Sequence, residues 1–500
     1  MRNGCPHRDT QATAQQQSVE TRLELPPGPR GRKLRNFRQR TTGYREFMDQ
    51  LHEQYGDIVY YELPFQKCCA VFSAELIRDV LVTQESSFPP WFPGELHEFL
   101  EAPGCEYRAL ALSYGQEHKL RSALMKGAFT ADRVNLYAES ILAKACEFRE
   151  RHRAGQVVDL IKEMERYVWD ALVAIILGRD VVLPRSVGED FLNFMKAYII
   201  LDMIPLGERL KKGQRLRKVP LPVFRRGYEG NETVDNAIYS AIERARDPSH
   251  AGDDVVSHYV RARERKNDGD WVLESDQAIR AEIAILLNAF VDAPTCLMVF
   301  GVHLLARRPS VLDRLQREVD EVLGGRPPRP EDFDRLRYAR AVVSEILRLE
   351  PPPQVLLPKE PTRDCVVGGY LIPKGTLMHV AMRVLHHRPE HWDDPEDFRP
   401  ERWLDEPPPG PPRVPEHAYI PFGLGSHICR GADVATRLFV LGMATFMQRL
   451  RFEPQSTRPP KRNDNAIGLK GTWFATVRNR EQGSTAGGAP PGSSAGRDQP

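Results

Sequence analysis

The sequence predicts a mainly α-helical fold with a small β portion. Three observations carry that reading. Helical patterning dominates from about residue 74 to about residue 350. Short strand-like runs flank it: IVYYEL and CCAVF after Gly56, and further short strands between about 352 and 382. One apolar stretch from about Ile283 to Ala306 contains Asn288, Asp292, Pro294 and His303. A lipid-facing helix with an acid at its centre is costly, so this stretch reads as a buried helix through a core.

Taken in order, residues 1–22 are polar, Gln-rich and aperiodic, which predicts a disordered tail and no signal peptide or membrane anchor. Leu25-Pro26-Pro27-Gly28-Pro29 is a stiff turn that delivers the chain onto the body. The basic run from Arg30 to Arg40 reads as a solvated arm, with a membrane-surface contact as the alternative. Pro309-Ser310 opens a helix through VLDRLQREVDEVL that Gly324 is placed to end. Residues 205–226 are basic and Pro-containing, an expected exposed loop region. Gly-Gly-Tyr and Ile-Pro-Lys-Gly make turns at 368–375, and 405–415 is a Pro-rich loop. A last apolar helix is expected from about Gly431 to Leu450, and the Gly/Ser/Pro/Ala tail from 481 to 500 should be disordered. Neither repeats nor a clear linker divide residues 23–480, so one domain is expected there.

Composition narrows the function. The chain has 500 residues, 41% of them apolar, enough to enclose an interior cofactor. A formal net charge of only +2 argues against a nucleic-acid binder. The eight cysteines are scattered, without CxxC pairs or zinc-type spacing, which suits a reducing compartment.

One cysteine stands apart. In Phe422-Gly-Leu-Gly425-Ser-His427-Ile-Cys429-Arg-Gly431 a thiol sits in a Gly-rich loop just before a long apolar helix. The unpaired N–H groups and positive partial charge of a helix N-terminus favour the thiolate, the form that binds metal. Gly425 permits a tight turn, Gly431 permits close approach of a flat ligand, and His427 can donate to a carboxylate.

The loop resembles the haem-binding loop of the cytochrome P450 family: Phe, two residues, Gly, one, His or Arg, one, Cys, one, Gly. The resemblance implies the cytochrome P450 fold, haem b as cofactor, and Cys429 as axial ligand, whose thiolate pushes electron density onto iron and favours O–O cleavage. Three further motifs follow the family's order. Glu345-Ile-Leu-Arg348 lies on one helix face, and with Arg402 of Pro400-Glu401-Arg402-Trp403 it corresponds to a buried charge triad that supports the loop. Gly115 to Phe129 resembles the helix that meets the haem propionates, which implicates His118 and Arg121; the family's usual second basic residue falls where this chain has Ser122. Lys359 lies nearest the slot of an arginine that meets a propionate, and supplies the charge without the bidentate fork.

The central helix departs from the family pattern. The acid is present as Asp292, a candidate proton-relay residue, but the alcohol slot holds Ala293 and the glycine slot holds Phe290. Thr295, two residues on, should face away. Pro294 lacks an N–H, so it frees the Phe290 carbonyl and builds a kink. The resemblance implies a monooxygenase that inserts one oxygen atom from O2 into an apolar or mixed organic substrate. A substrate hydroxyl or ordered water would replace the missing alcohol. Peroxide-driven, rearrangement or dehydration chemistry is one alternative; a haem-binding module without catalysis is another. The expected partners are a small organic substrate and a ferredoxin with its reductase, or a flavoprotein reductase, steered by basic residues such as Arg430. A cytoplasmic, bacterial-type monomer is expected.

Overall fold

The computed structural model describes residues 23–91, 110–184, 186–190, 222–250, 252–264, 275–404, 417–463 and 468–480. The expected terminal tails, most of the basic 205–226 region and the 405–415 loop lie outside the described residues.

Helices α1 (Lys33–Thr42) and α2 (Tyr44–Tyr55) lead into β1 (Ile58–Leu63) and β2 (Gln66–Val71). The basic run is therefore mostly helix, a correction to the solvated arm. Asn36 explains it: its buried amide donates to the carbonyls of Pro29 and Glu62 and seats α1 on β1, while Lys33, Arg35 and Arg38 stay exposed. A short helix Ala74–Arg78 runs into a π-helical turn over Asp79–Thr83. The helical body comprises α3 (Gly115–Ala128), α4 (Ala131–Arg151), α5 (Leu160–Ile176), α6 (Pro222–Arg246), α7 (Val255–Glu264), α8 (Asp276–Ala306), α9 (Pro309–Leu323), α10 (Arg337–Leu349) and α11 (Ala432–Met447). Gly324, in the left-handed region at φ 55°, ends α9 as the sequence predicts.

Among the described residues, three small sheets complete the architecture. β1 pairs antiparallel with β2, and β2 pairs parallel with β6 (Leu377–Val380). β4 (Cys365–Val367) and β5 (Tyr370–Ile372) form a hairpin. β3 (Val157–Asp159), β8 (Phe474–Asn479) and β7 (Leu450–Pro454) lie in that order.

Helix α8 is apolar nearly all round, which requires burial on all sides, and α5 packs along it. It is long and apolar enough to cross a membrane, yet most of that window is buried inside the protein. It starts at Asp276, seven residues before the apolar run, where the Ser275 hydroxyl accepts the Ala278 N–H at 3.2 Å. Arg280 and Glu282 concealed that start because they read as surface residues. Instead both are buried, Arg280 against Asp235 at 2.7 Å and Glu282 against Arg121 at 3.5 Å.

The buried charge triad is present. Glu345 accepts from Arg348 Nε at 2.9 Å and Nη2 at 2.8 Å, from Arg402 Nε at 3.0 Å, from the Trp403 indole at 2.9 Å and from the Arg399 amide at 3.1 Å. Arg348 in turn donates to the carbonyls of His386, Pro395 and Asp397. Removing the carboxylate leaves two buried guanidinium groups without their counter-charge. Glu345→Gln should therefore cost about 3–5 kcal/mol, read as a lowered urea midpoint; an unchanged midpoint would show that the network does not support the fold.

Two buried histidines set a pH dependence. Burial holds His379 and His386 at about 3. The unfolded chain takes up these protons near 6.5 and the folded chain does not, so stability is full above about 6.5 and falls as pH drops toward 3. The loss is about 1.4 kcal/mol per proton per pH unit. Urea unfolding between pH 7 and 4.5 should show it, with a shallower slope in His379→Gln; parallel slopes would refute the assignment.

Candidate active site

The segment that carries Cys429 is held from both ends. The Ile420 amide donates to His386 Nε2 at 2.9 Å, and the Cys429 amide donates to the Phe422 carbonyl at 2.8 Å. Gly425 adopts φ 78°, and a Cβ there would collide with the Leu81 carbonyl oxygen. The glycine thus serves both the tight turn the sequence predicts and a close approach to the 79–83 turn. At the other end Gly431 caps α11. Its amide bonds to the Cys429 sulfur; burial pushes that thiol up, while this bond and Arg430 pull it down.

Cys429 is surrounded by protein but its side chain is open to an internal cavity of about 310 Å³. Ala289, Phe290, Ala293, Pro294 and Leu297 of α8 form one wall. Leu81, Pro352, Pro353, Leu356 and Leu357 contribute further apolar lining, and Phe422, Gly423, His427, Cys429 and Gly431 supply the face with the thiol. Among the described residues that line it, the polar side chains are Lys359, His427 and Cys429.

Lys359 reaches the cavity because its backbone exchanges two hydrogen bonds with Met378 of β6, at 3.1 and 2.7 Å. Burial pushes its ammonium down to about 8, against the opposing pull of Glu85. His427 has Nδ1 3.3 Å from Glu85 Oε1 and Nε2 3.2 Å from the Ser113 carbonyl. Burial, with Lys359 and His118 adding to it, pushes His427 down to about 4, so the ring is neutral at pH 7. The carboxylate it meets is therefore a protein side chain that the sequence reading missed. Burial raises Glu85, but hydrogen bonds from Ser426 and His427 outweigh this and hold it below its ordinary value. Nothing local marks Glu85, Ser113 or Leu81 as site residues, because each approaches the loop from more than 300 positions away.

The remaining candidates divide. His118 stacks on His427, with ring centroids 3.9 Å apart, and its Nε2 lies 3.2 Å from the Ser426 carbonyl. It supports the loop without lining the cavity. Arg121 is not brought to the cavity. It donates to Glu117 at 2.5 Å and faces Glu282 of α8. The buried acid on α8 captures it, and burial pushes that acid up to about 7. Ser122, the departure in this helix, accepts from Arg430 at 2.5 Å, so a guanidinium from the loop occupies that place. Asp292 also does not line the cavity; its carboxylate lies 3.0 Å from where a Gly468 Cβ would stand. Phe290 turns its ring onto Gly431, where a Cβ would collide with the ring, and stacks at 6.0 Å on Phe129. The close approach that Gly431 permits is made by this ring. Thr295 is buried, off the cavity wall, with no hydrogen-bond partner for its hydroxyl.

Among the described residues no group of three or more His, Cys, Asp or Glu is arranged to hold a metal. A metal at Cys429 must therefore bring its other ligands with it. A thiol facing a mainly apolar slot with the Lys359 ammonium and the His427 ring at one edge fits a macrocycle that carries its own nitrogen ligands and carboxylates.

Comparison with known proteins agrees. The cytochrome P450 family model matches residues 26–472. The chain is 28% identical over 403 residues to cyclooctat-9-en-7-ol 5-monooxygenase of Streptomyces melanosporofaciens, covering 80% of this chain and 83% of that one. It is 29% identical to cyclooctatin synthase of the same organism, over 68% of this chain and 71% of that one. A retinoic-acid-bound cyanobacterial CYP120A1 structure has the same fold, with a TM-score of 0.72 at 20% identity, covering 92% of this chain and all of that one. The chain thus belongs to the cytochrome P450 family, haem-thiolate monooxygenases that carry protoporphyrin IX haem.

Proposed function

We propose that this enzyme inserts one oxygen atom of O2 into a largely apolar organic substrate, with electrons from a separate ferredoxin and its reductase or a flavoprotein reductase. The observation that carries the reading is the cavity itself, with a single thiol on one wall and the Ala293–Pro294 segment on the wall that faces it. The bound haem supplies oxygen activation, which a thiolate ligand assists. The protein's part is to hold and to exclude. Cys429 would hold the haem iron through its sulfur, which the Gly431 amide supports. Lys359, with the His427 ring beside it, would hold the haem carboxylate edge, and His118 fixes the Ser426 carbonyl next to them. Asp292 acts as a proton-relay residue from behind the wall, while Ala293 keeps the wall apolar. The lining leucines and prolines exclude bulk water. A relative named for oxidising cyclooctat-9-en-7-ol supports a mostly hydrocarbon substrate. A cytoplasmic monomer fits this reading.

Turnover in 18O2 with a surrogate ferredoxin and reductase tests it. Product that carries one labelled oxygen, formed only with reductant, is expected. Ala293 motivates a second reading, use of hydroperoxide without reductant, and product formed on those terms would replace the first.

Two variants probe the site. Cys429→Ser should abolish the long-wavelength Soret band of the reduced CO complex from which the family takes its name; a variant that keeps it would disprove the ligand assignment. Phe290→Ala removes the ring that fills the space beside Gly431, so probes too bulky for the native cavity should bind, seen as new spin-state spectra. An unchanged probe range would mean that this ring does not limit the cavity.

A further inference from the structure

A helix carbonyl is normally satisfied by the amide four residues on. For Phe290 that residue is Pro294, which has no N–H. Helix α8 nevertheless continues without interruption from Asp276 to Ala306. Its carbonyls point along the axis toward the residue four positions later, so the Phe290 oxygen points toward the Pro294 ring. Both residues belong to the wall that faces Cys429. The proline ring also pushes against that carbonyl and tilts it outward, which is how proline bends a helix.

Little else on this wall is polar. Its cavity-lining residues are Ala289, Phe290, Ala293, Pro294 and Leu297. Thr295 and Asp292 belong to the same helix but not to the lining. The polar side chains that line the cavity, the Lys359 ammonium and the neutral His427 ring, belong to other segments than α8. The described α8 lining offers no side-chain donor to this carbonyl, and Pro294 withholds the usual main-chain one. An acceptor deprived of its helix donor in a mainly apolar cavity carries a desolvation cost, and a ligand that brings a donor removes it. A carbonyl rewards a neutral O–H and gains nothing from a ketone, an ether or a carboxylate.

We infer that the Phe290 carbonyl is a substrate-positioning acceptor, and that the cavity selects apolar molecules bearing a hydroxyl group. The inference rests on the oxygenation reading in that the same cavity receives the substrate. It assigns the polar role on this wall to a main-chain atom, made available by Pro294, where Ala293 offers none.

Matched probes test it in the resting holoenzyme without reductant: cyclododecane against cyclododecanol, and decalin against decalol, followed by spin-state titration. The alcohols should bind about fivefold tighter than their hydrocarbons, the effect of one net hydrogen bond. Pro294→Ala restores the N–H that occupies the carbonyl, so the preference should fall below about twofold. The variant's holoenzyme should also melt several degrees higher, because a helix bond is regained. Equal binding of alcohol and hydrocarbon by the native enzyme overturns the inference. So does a preference that survives Pro294→Ala, or an unchanged melting temperature. Reductant-driven turnover is scored separately. Hydroxyl preference without oxygenated product sinks the oxygenation reading alone, and product without hydroxyl preference sinks the carbonyl assignment alone.

Discussion

A single buried carboxylate organises the side of the molecule that presents the thiol. Glu345 gathers two guanidinium groups, an indole N–H and a main-chain N–H within hydrogen-bond distance. Through Arg348 it reaches three carbonyls on either side of the 386–397 segment. Through Trp403 it reaches Tyr419, whose ring centroid lies 4.5 Å from the indole. The Tyr419 hydroxyl donates back to Ser344 on α10, and the next residue, Ile420, donates to His386. The chain enters the cysteine loop at Phe422, two residues later. Burying this many charges adds little net stability, but it excludes alternative arrangements, because each would strand a charge without a partner. The sulfur's position is thus specified by hydrogen bonds many residues away from it in sequence.

What was legible in the sequence follows from how local each requirement is. The glycines around Cys429, the three-residue spacing of Glu345 and Arg348, and Gly324 at the end of α9 express constraints that act within a turn or two. Each could be read from neighbours alone. Arg121 could not, because a helix residue's spacing does not say which neighbouring element supplies its partner. Here that element is α8, whose Glu282 reads as a surface residue until the fold buries it. Glu85 and Ser113 are chemically ordinary and acquire a role only by docking against Ser426 and His427. Likewise Asn36, an uncharged polar residue in a basic run, is what converts an apparent arm into a seated helix.

Helix α3 and the cysteine loop are joined by a guanidinium. Arg430 sends it to the Ser122 hydroxyl from beside the thiol. Arg430 also contacts the Ser426 carbonyl that His118 meets, so two cation-capable side chains converge on one oxygen. This bears on the surface role expected for Arg430. A side chain whose Nη2 is held by two internal acceptors is less free to meet an acidic partner than a solvated one, since leaving those acceptors costs their hydrogen bonds.

The two walls of the cavity follow opposite principles. The thiol wall is cross-linked and held by contacts from several distant segments. The α8 wall offers no side-chain hydroxyl among the described lining residues: Ala293 lines it, Phe290 leans onto Gly431, and Asp292 turns toward Gly468. Proton delivery across such a wall cannot use a side-chain hydroxyl from the described lining, because it has none. A donor must arrive with the substrate or as water held by the main chain. The proline that follows Ala293 deletes an N–H and thereby leaves the Phe290 carbonyl without its usual helix donor. Ala293 and Pro294, side by side, therefore work in one direction: neither gives this wall a donor, and the carbonyl favours a ligand that brings its own.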